Sequence, residues 1–489
     1  MNMKGSLIMK KRIVSILLFS AFVSSFTACG GEKPADETTA DISVSDISSS
    51  VESQTSQPSR LPDEFDCEGY ELRVVKQQQD KILWSLNTFG VSEDNGEILN
   101  DTFAKRNREI GEKYNFSIIE TETDSSPASA IRKLVLAGDD EYDVALVNFN
   151  SERNSTDGTY FNVYDLPYLD LEMDCWNQSL VRDLTVNGKL CFLSGDIIVS
   201  DDDGLMIIVY NKPLGEDYKF ENLYDVVREG RWTFDYKLKL LHQIAEDLND
   251  DGVYDTNDRL GMMYADNAAA APYFASACTY LFTRTNDNAE FTADSDRSVT
   301  VFEKIQSMLG DETIAYNWSN IKQNSSETIV GMIDTKKTLF LDIGLHFVRR
   351  NLRDLKADYS ILPMPKLDEE QENYYTMMNE SMTHLLIPST IGEPEKVGFI
   401  LEALAEASDN ITNTYYKTCI EGKYARDAES IEMLGIASEN VIFDLGFINN
   451  WGGLGTALTS AALDGSSYSS LVASYKSSAI SEMESFFEK

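Results

Sequence analysis

From residue 70 onward, segments with strand character alternate with segments of helical periodicity, and nothing else in the chain restricts its fold as tightly. Residues 70–75 alternate and are rich in β-formers, so they read as a strand. Residues 97–114 predict a helix, with Ile98, Phe103 and Ile110 toward a core and Arg106, Arg108 and Glu109 among its polar positions. Residues 127–137 predict another, with Ser126 as its cap, Pro127 at the first helical position and Gly138 as its stop. Residues 142–149 read as a buried strand. This order is the signature of an α/β sheet with parallel strands. Further strands are expected at 206–210, 338–341, 359–362 and 384–388, and further helices at 220–228, from Thr233 to about 248, at 395–407 and at 468–487. With no internal repeat, the pattern implies two α/β lobes.

Composition removes several functions. The chain has 489 residues, of which 42% are hydrophobic, enough to bury a large core. Its 81 acidic side chains outnumber 42 Lys and Arg, giving a formal charge of −39. Such a surface repels polyphosphate and argues against a nucleic-acid partner. The histidines are His242, His346 and His384, too few for a His-rich metal centre. No G-x-S-x-G supports a hydrolase, and no Walker motif or phosphate-cradling Gly-rich loop occurs. Beyond Cys29, the cysteines Cys67, Cys175, Cys191, Cys278 and Cys419 are widely spaced and form no C-x-x-C, so they make neither a disulfide scaffold nor a zinc site.

Residues 1–28 read as a targeting segment. Lys4, Lys10, Lys11 and Arg12 precede the apolar stretch 13–23, which is too short to anchor in a bilayer. Phe26-Thr27-Ala28-Cys29 then resembles a bacterial lipobox, which implies lipidation of Cys29; a plain secretory signal is the alternative. Residues 29–61 are Ser-, Thr- and acid-rich and read as a disordered tether. The expected location is the outer face of a bacterial cell membrane, held there by the lipid alone.

The sharpest local motif is the loop 247–258, which follows D-x-N-x-D-G-x-x-D-x-x-D. The side chains of Asp247, Asn249, Asp251, Asp255 and Asp258, with the Val253 carbonyl, are expected to hold one structural Ca²⁺, Gly252 making the sharp turn. Asp258 stands where Glu is usual and has a shorter reach; a solvated acidic turn is the alternative. The tryptophans are Trp84, Trp176, Trp232, Trp318 and Trp451. Trp451 sits in a loop-like Asn449-Asn450-Trp451-Gly452-Gly453, and Trp84 follows the first strand, both positions suited to stacking on a sugar face. Trp232 opens a helix and looks structural. Asp201-Asp202-Asp203 reads as a solvated turn, with a functional site as the alternative.

Several stretches together resemble the extracellular solute-binding proteins of bacterial ABC importers, in the carbohydrate-binding group related to maltose-binding protein. They are residues 100–114 (NDTFAKRNREIGEKY), 210–212 with 223–234 (YNK and LYDVVREGRWTF), the loop at Asp247, 385–404, and 444–453 (DLGFINNWGG). The resemblance implies a two-lobe periplasmic-binding-protein-like clamshell with discontinuous lobes and hinge crossovers. It assigns 62–170 and 325–375 to the first lobe and 171–324 and 376–489 to the second. It places ligand residues at Trp84, at Asn148, Asn150, Glu152 and Arg153, between Tyr375 and Glu380, and at Trp451. It further implies a monomeric binding protein rather than an enzyme, one that delivers a sugar or oligosaccharide to ABC permease subunits. A secreted glycoside hydrolase and a ligand-sensing lipoprotein are the alternatives.

Overall fold

In the computed structural model the described residues are 59–153, 157–265, 270–285, 288–323 and 325–488. The targeting segment, Cys29 and the tether up to residue 58 lie outside them. In chain order the strands are β1 (Tyr70–Gln77), β2 (Phe116–Thr123), β3 (Val144–Asn148), β4 (Phe192–Leu193), β5 (Met206–Asn211), β6 (Leu260–Tyr264), β7 (Phe282–Arg284), β8 (Ala289–Phe291), β9 (Ala315–Asn317), β10 (Thr338–Gly344), β11 (Tyr359–Leu362), β12 (Thr376–Met377), β13 (Thr383–Leu386) and β14 (Val441–Ile442).

Two five-stranded sheets result, ordered β2-β1-β3-β13-β4 and β11-β5-β10-β6-β9. In the first, β1 pairs in parallel with β2 from Tyr70 opposite Phe116 to Gln77 opposite Thr123, and with β3 on its other edge. Helices Ile98–Tyr114 and Ala128–Ala137 make the crossovers that parallel pairing demands. β13 joins antiparallel to β3. In the second sheet β10 lies antiparallel to β5 and parallel to β6. β3, β5, β6 and β10 are buried along their whole length, which is why they are mostly apolar, the polar Asn148, Asn211 and Asp342 among them being buried with their strands.

The chain crosses between the two sheets at 194–205 and at 378–382, and a third crossing, 407–427, runs from the helix Pro394–Glu406 on the first half to the helix Ala428–Glu439 against β11 and β5 of the second. These crossings redraw the expected lobes. β10 and β11, within 325–375, belong to the second sheet, whereas β4 and β13 belong to the first although they fall in the ranges assigned to the second lobe. The physical reason is partnership: β10 fills the slot between β5 and β6, and β13 the slot beside β3, and an apolar strand sits where both faces and both edges are covered.

Helix Pro394–Glu406 packs beside helix Ile98–Tyr114 of the first half, with Phe65 stacked on Phe399 at 3.9 Å and Tyr114 edge-on to it at 4.8 Å. Ile98 is exposed, and Arg106, expected on the polar side, is buried instead. Its guanidinium donates to the Ile197 carbonyl (2.8 Å) and to Ser408 Oγ (2.9 Å). Inside the second half, Lys237 Nζ donates to both Asp342 oxygens (2.6 and 2.7 Å) and to the Tyr273 hydroxyl (2.8 Å), so a buried charge is paired and saturated. Trp176 and Trp232 are core residues whose indole N–H groups donate to Glu402 and to the Pro363 carbonyl, both at 2.9 Å. Cys67 and Cys175 are buried free thiols.

Candidate functional site

A cavity of about 90 Å³ lies where the loop after β3, the 378–382 crossing and the C-terminal helices meet. Each wall has a local cause. At the end of β3, Asn148 turns its side chain inward to accept the Ser151 N–H (2.8 Å), which tightens the chain and presents Asn150 and Arg153. In the crossing, Asn379 accepts the Ser381 N–H (2.9 Å) while its own N–H donates to the Gly204 carbonyl (2.9 Å), leaving Glu380 and Ser381 facing the space. Opposite, helix Leu445–Asn449 stops because Asn450 takes a left-handed conformation (φ 50°). Asn450 then clamps the next helix, accepting the Thr456 N–H and donating to Thr456 Oγ1, both at 3.0 Å.

The cavity has one strip of linked polar groups. Arg153 donates to Asn150 Oδ1 (3.1 Å), and Asn150 donates to Ser381 Oγ (3.1 Å). Arg153 Nη2 stands 3.9 Å from Glu380 Oε2, beyond hydrogen-bond reach. The Glu380 side chain keeps 22% of its surface. Burial pushes its carboxyl up to about 7; Arg153 opposes that shift and Asp444 adds to it. Behind Glu380 the wall is apolar, formed by Phe149, Met377, Met378, Phe443 and Phe447. Asp444, in the same wall, is pushed up to about 6 by burial, although it accepts N–H bonds from Leu281, Gly446 and Phe447. Amides, hydroxyls and one opposed charge pair against an apolar wall suit a neutral ligand that carries hydroxyls on an apolar frame.

Solved structures share this architecture. The galacto-N-biose-/lacto-N-biose I-binding protein of the ABC transporter from Bifidobacterium longum, in complex with lacto-N-biose, superposes with a TM-score of 0.56 at 11% identity, over 86% of this chain and 98% of that one. The ABC transporter associated binding protein from B. animalis subsp. lactis Bl-04, in complex with beta-1,6-galactobiose, gives 0.54 at 14% identity, over 85% and 98%. Maltose-bound MalE3 of T. maritima gives 0.52 at 11% identity, over 84% and 98%. The chain has the two-lobe binding-protein fold. No protein-family model matches it, and no curated protein matches it.

Within this binding-protein fold the residues singled out in the sequence separate clearly. Asn150, Arg153 and Glu380 meet in the cavity. Asn148 serves the turn beneath them. Glu152 points away; it is buried, paired with Arg132, and accepts from the Tyr160 hydroxyl (3.1 Å). Tyr375 is half-buried beside Cys278, off the cavity. Trp84 is 41% exposed on the loop after β1, next to Ser85, whose hydroxyl lies 3.1 Å from that of Thr383; it does not line the cavity.

Trp451 is the clear correction. It is 3% exposed and sits in a core cluster, edge-on to Phe282 (4.8 Å) and Phe486 (5.3 Å). The two glycines after it, both at positive φ, turn the chain so that the indole faces helix Tyr468–Phe487 rather than solvent. Its neighbour Asn450 takes the cavity position. Asn379, inside the expected crossover, lines the cavity as well; Ser381, Thr456 and Thr459 also line it and were missed, because single Ser and Thr residues carry no periodic or motif signal. Asp201-Asp202-Asp203 is likewise corrected: Asp201 and Asp203 are buried, not a solvated turn.

The acidic loop 247–258 lies apart from the cavity. The preceding helix, expected to reach about 248, ends at Ile244 because Glu246 and Arg259 pair through their backbones and close the loop at its base. Asp250 and Gly252 take left-handed conformations (φ 58° and 78°), as the tight turn requires. Asp258 is buried and accepts the N–H groups of Leu248 (2.9 Å) and Asp255 (3.0 Å), while Asp247 Oδ2 accepts the Gly252 N–H (2.8 Å). Among the described residues no three carboxylate, His or Cys side chains converge as a ready-made metal cluster. Asp247 Oδ1 is nevertheless a buried oxygen with no hydrogen-bond partner.

Proposed function

We propose that this protein captures a neutral sugar or short oligosaccharide between its lobes and delivers it to the permease of an ABC importer. The observation that carries this reading is the cavity itself. Asn150, Ser381, Asn450 and Thr456, with the Arg153–Glu380 pair, are presented beside an apolar wall at the junction of the two halves. The solved relatives in fold that hold lacto-N-biose, beta-1,6-galactobiose and maltose support it. A binding role is favoured over glycoside hydrolysis because, among the described residues, Glu380 is the one carboxylate lining the cavity, and nearby Asp444 spends its oxygens on backbone N–H groups. Hydrolysis requires a second carboxylate free to act. Calorimetry of the purified chain against a panel of mono- and oligosaccharides tests the reading. Saturable binding without turnover supports it, and hydrolysis at catalytic protein concentration overturns it.

Two further assignments complete the proposal. Cys29 carries a lipid that tethers the protein outside the cell; a Cys29→Ser protein that is processed normally and partitions to membranes unchanged removes this assignment. The loop 247–258 binds one Ca²⁺ through Asp247, Asn249, Asp251, Asp255 and Asp258 and the Val253 carbonyl. The buried, unpartnered Asp247 Oδ1 favours it, since such an oxygen is costly without a cation or donor.

A further inference from the structure

The three crossings between the sheets are sewn to one another largely by carboxylates of the first. Thr412 Oγ1, in the third crossing, donates to Asp196 (2.7 Å), and Tyr416 donates to Asp202 (2.6 Å). Tyr415 donates to Asp203 (2.8 Å). The second crossing is tied to the first by the Asn379 N–H on the Gly204 carbonyl (2.9 Å), and the Ser200 hydroxyl donates to the carbonyl of Thr383 just beyond it. Tyr415 and Tyr416 sit in the π-helical segment Thr414–Tyr424, a wide and uncommon backbone form that is frequent at functional sites.

The charges in this seam are unevenly matched. Arg349 is committed to Asp203 through two bonds (2.8 and 2.7 Å), and Arg350 and His346 also face Asp203. Arg106, from helix Ile98–Tyr114, reaches Ile197 and Ser408 rather than a carboxylate. Asp196, Asp201 and Asp202 instead receive bonds from the neutral donors Thr412, Asn177 and Tyr416. Asp201 is 8% exposed, and its Oδ1 is buried with no partner. Asp174 and Asp409 add negative charge around Asp196, and Asp196 and Asp203 add it around Asp202.

We infer that Asp196, Asp201 and Asp202 form a proton-operated latch on the hinge, in which bound protons hold the crossings together and their loss loosens them. Burial pushes Asp196 up to about 6, and it raises Asp201 and Asp202 as well, Asp202 being raised further by the charge of Asp201. The sign follows. A carboxyl raised in one arrangement stabilises that arrangement fully below its ordinary value, and this stabilisation fades as pH rises through the raised one. The seam is therefore tightest in mild acid and loosest above about 6. Because lobe motion in this fold must bend these crossings, the latch would regulate the ligand site; only that consequence rests on the binding function proposed above.

Hydrogen exchange of the ligand-free full chain at pH 5.5 and 7.5, corrected for the intrinsic rate, reads the latch directly. Peptides covering 194–205 and 408–427 should be about threefold or more better protected at the lower pH, the ratio that follows between these two values when one carboxyl that titrates near 6 in the closed seam holds its proton to tenfold lower acidity there than in the loosened one. Asp202→Asn combined with Asp201→Asn should shrink that difference, leaving only the part carried by Asp196, and raise protection at the higher value. If the double variant does not fold, Asp196→Asn alone should shrink the difference. Equal protection of the wild type at both values, or an unchanged pH response in the folded variants, overturns the latch. Calorimetry with the sugar panel is run in parallel, so that a protein binding no sugar but showing the pH response sinks the transport reading alone.

Discussion

Arg153 and Glu380 face each other across the cavity at 3.9 Å, one carried by the loop after β3 and the other by the crossing between the sheets. The guanidinium is steadied by Asn150, whose amide is in turn tied to Ser381 on the same crossing. The pair thus joins two segments that lie more than two hundred residues apart in the chain.

Glu380 should make stability depend on pH. Its carboxyl is pushed up to about 7 by burial, so its contribution is complete below the ordinary carboxylate value and is lost as pH rises through about 7. Glu380→Gln should therefore stabilise the fold relative to wild type at pH 8 and not at pH 4, by on the order of 1–3 kcal/mol. Chemical denaturation at the two values measures this; parallel curves at both would refute it.

Trp451 and Trp84 should behave oppositely. Truncating the buried Trp451 to Ala removes its packing on Phe282 and Phe486 and should cost about 3–5 kcal/mol in urea unfolding. Truncating the exposed Trp84 should change stability by about 0.5 kcal/mol or less. A Trp451→Ala protein as stable as wild type would return that residue to the surface.

Asp342→Ala should be severe. It leaves Lys237 charged and buried without its counter-ion, and breaking a buried pair costs about 3–5 kcal/mol. The double change Lys237→Met with Asp342→Leu should recover much of the loss, because no uncompensated charge remains. Thermal unfolding of the three variants side by side decides it.

Chelation should lower the melting temperature of calcium-loaded protein. A ligand at a hundredfold excess over its Kd stabilises by about 2.7 kcal/mol. Asp251→Ala should abolish that response. A wild type insensitive to chelator would leave loop 247–258 as a hydrogen-bonded acidic turn.

Much of this molecule was legible in its residue order. Strands β1, β3, β5 and β11 and the helices over 98–114 and 468–487 follow from local patterning, because hydrophobic period and terminal residues act within a few positions of one another. The loop after β3 and the crossover near Tyr375 to Glu380 entered through family resemblance, and residues of both reached the cavity. What local order did not determine was partnership. Whether β10 or β13 completes a given sheet depends on which apolar edges meet in space, and the expected lobes failed there. The same holds for single side chains. Asn450 and Trp451 are adjacent, yet a left-handed residue followed by two positive-φ glycines sends one into the cavity and the other into the core. Asp201 to Asp203 resembles any solvated acidic turn until the third crossing closes over it. Composition and period act through near neighbours along the chain; burial is a property of the neighbours that folding brings together, and it decides which carboxylates, aromatics and amides are left to do anything.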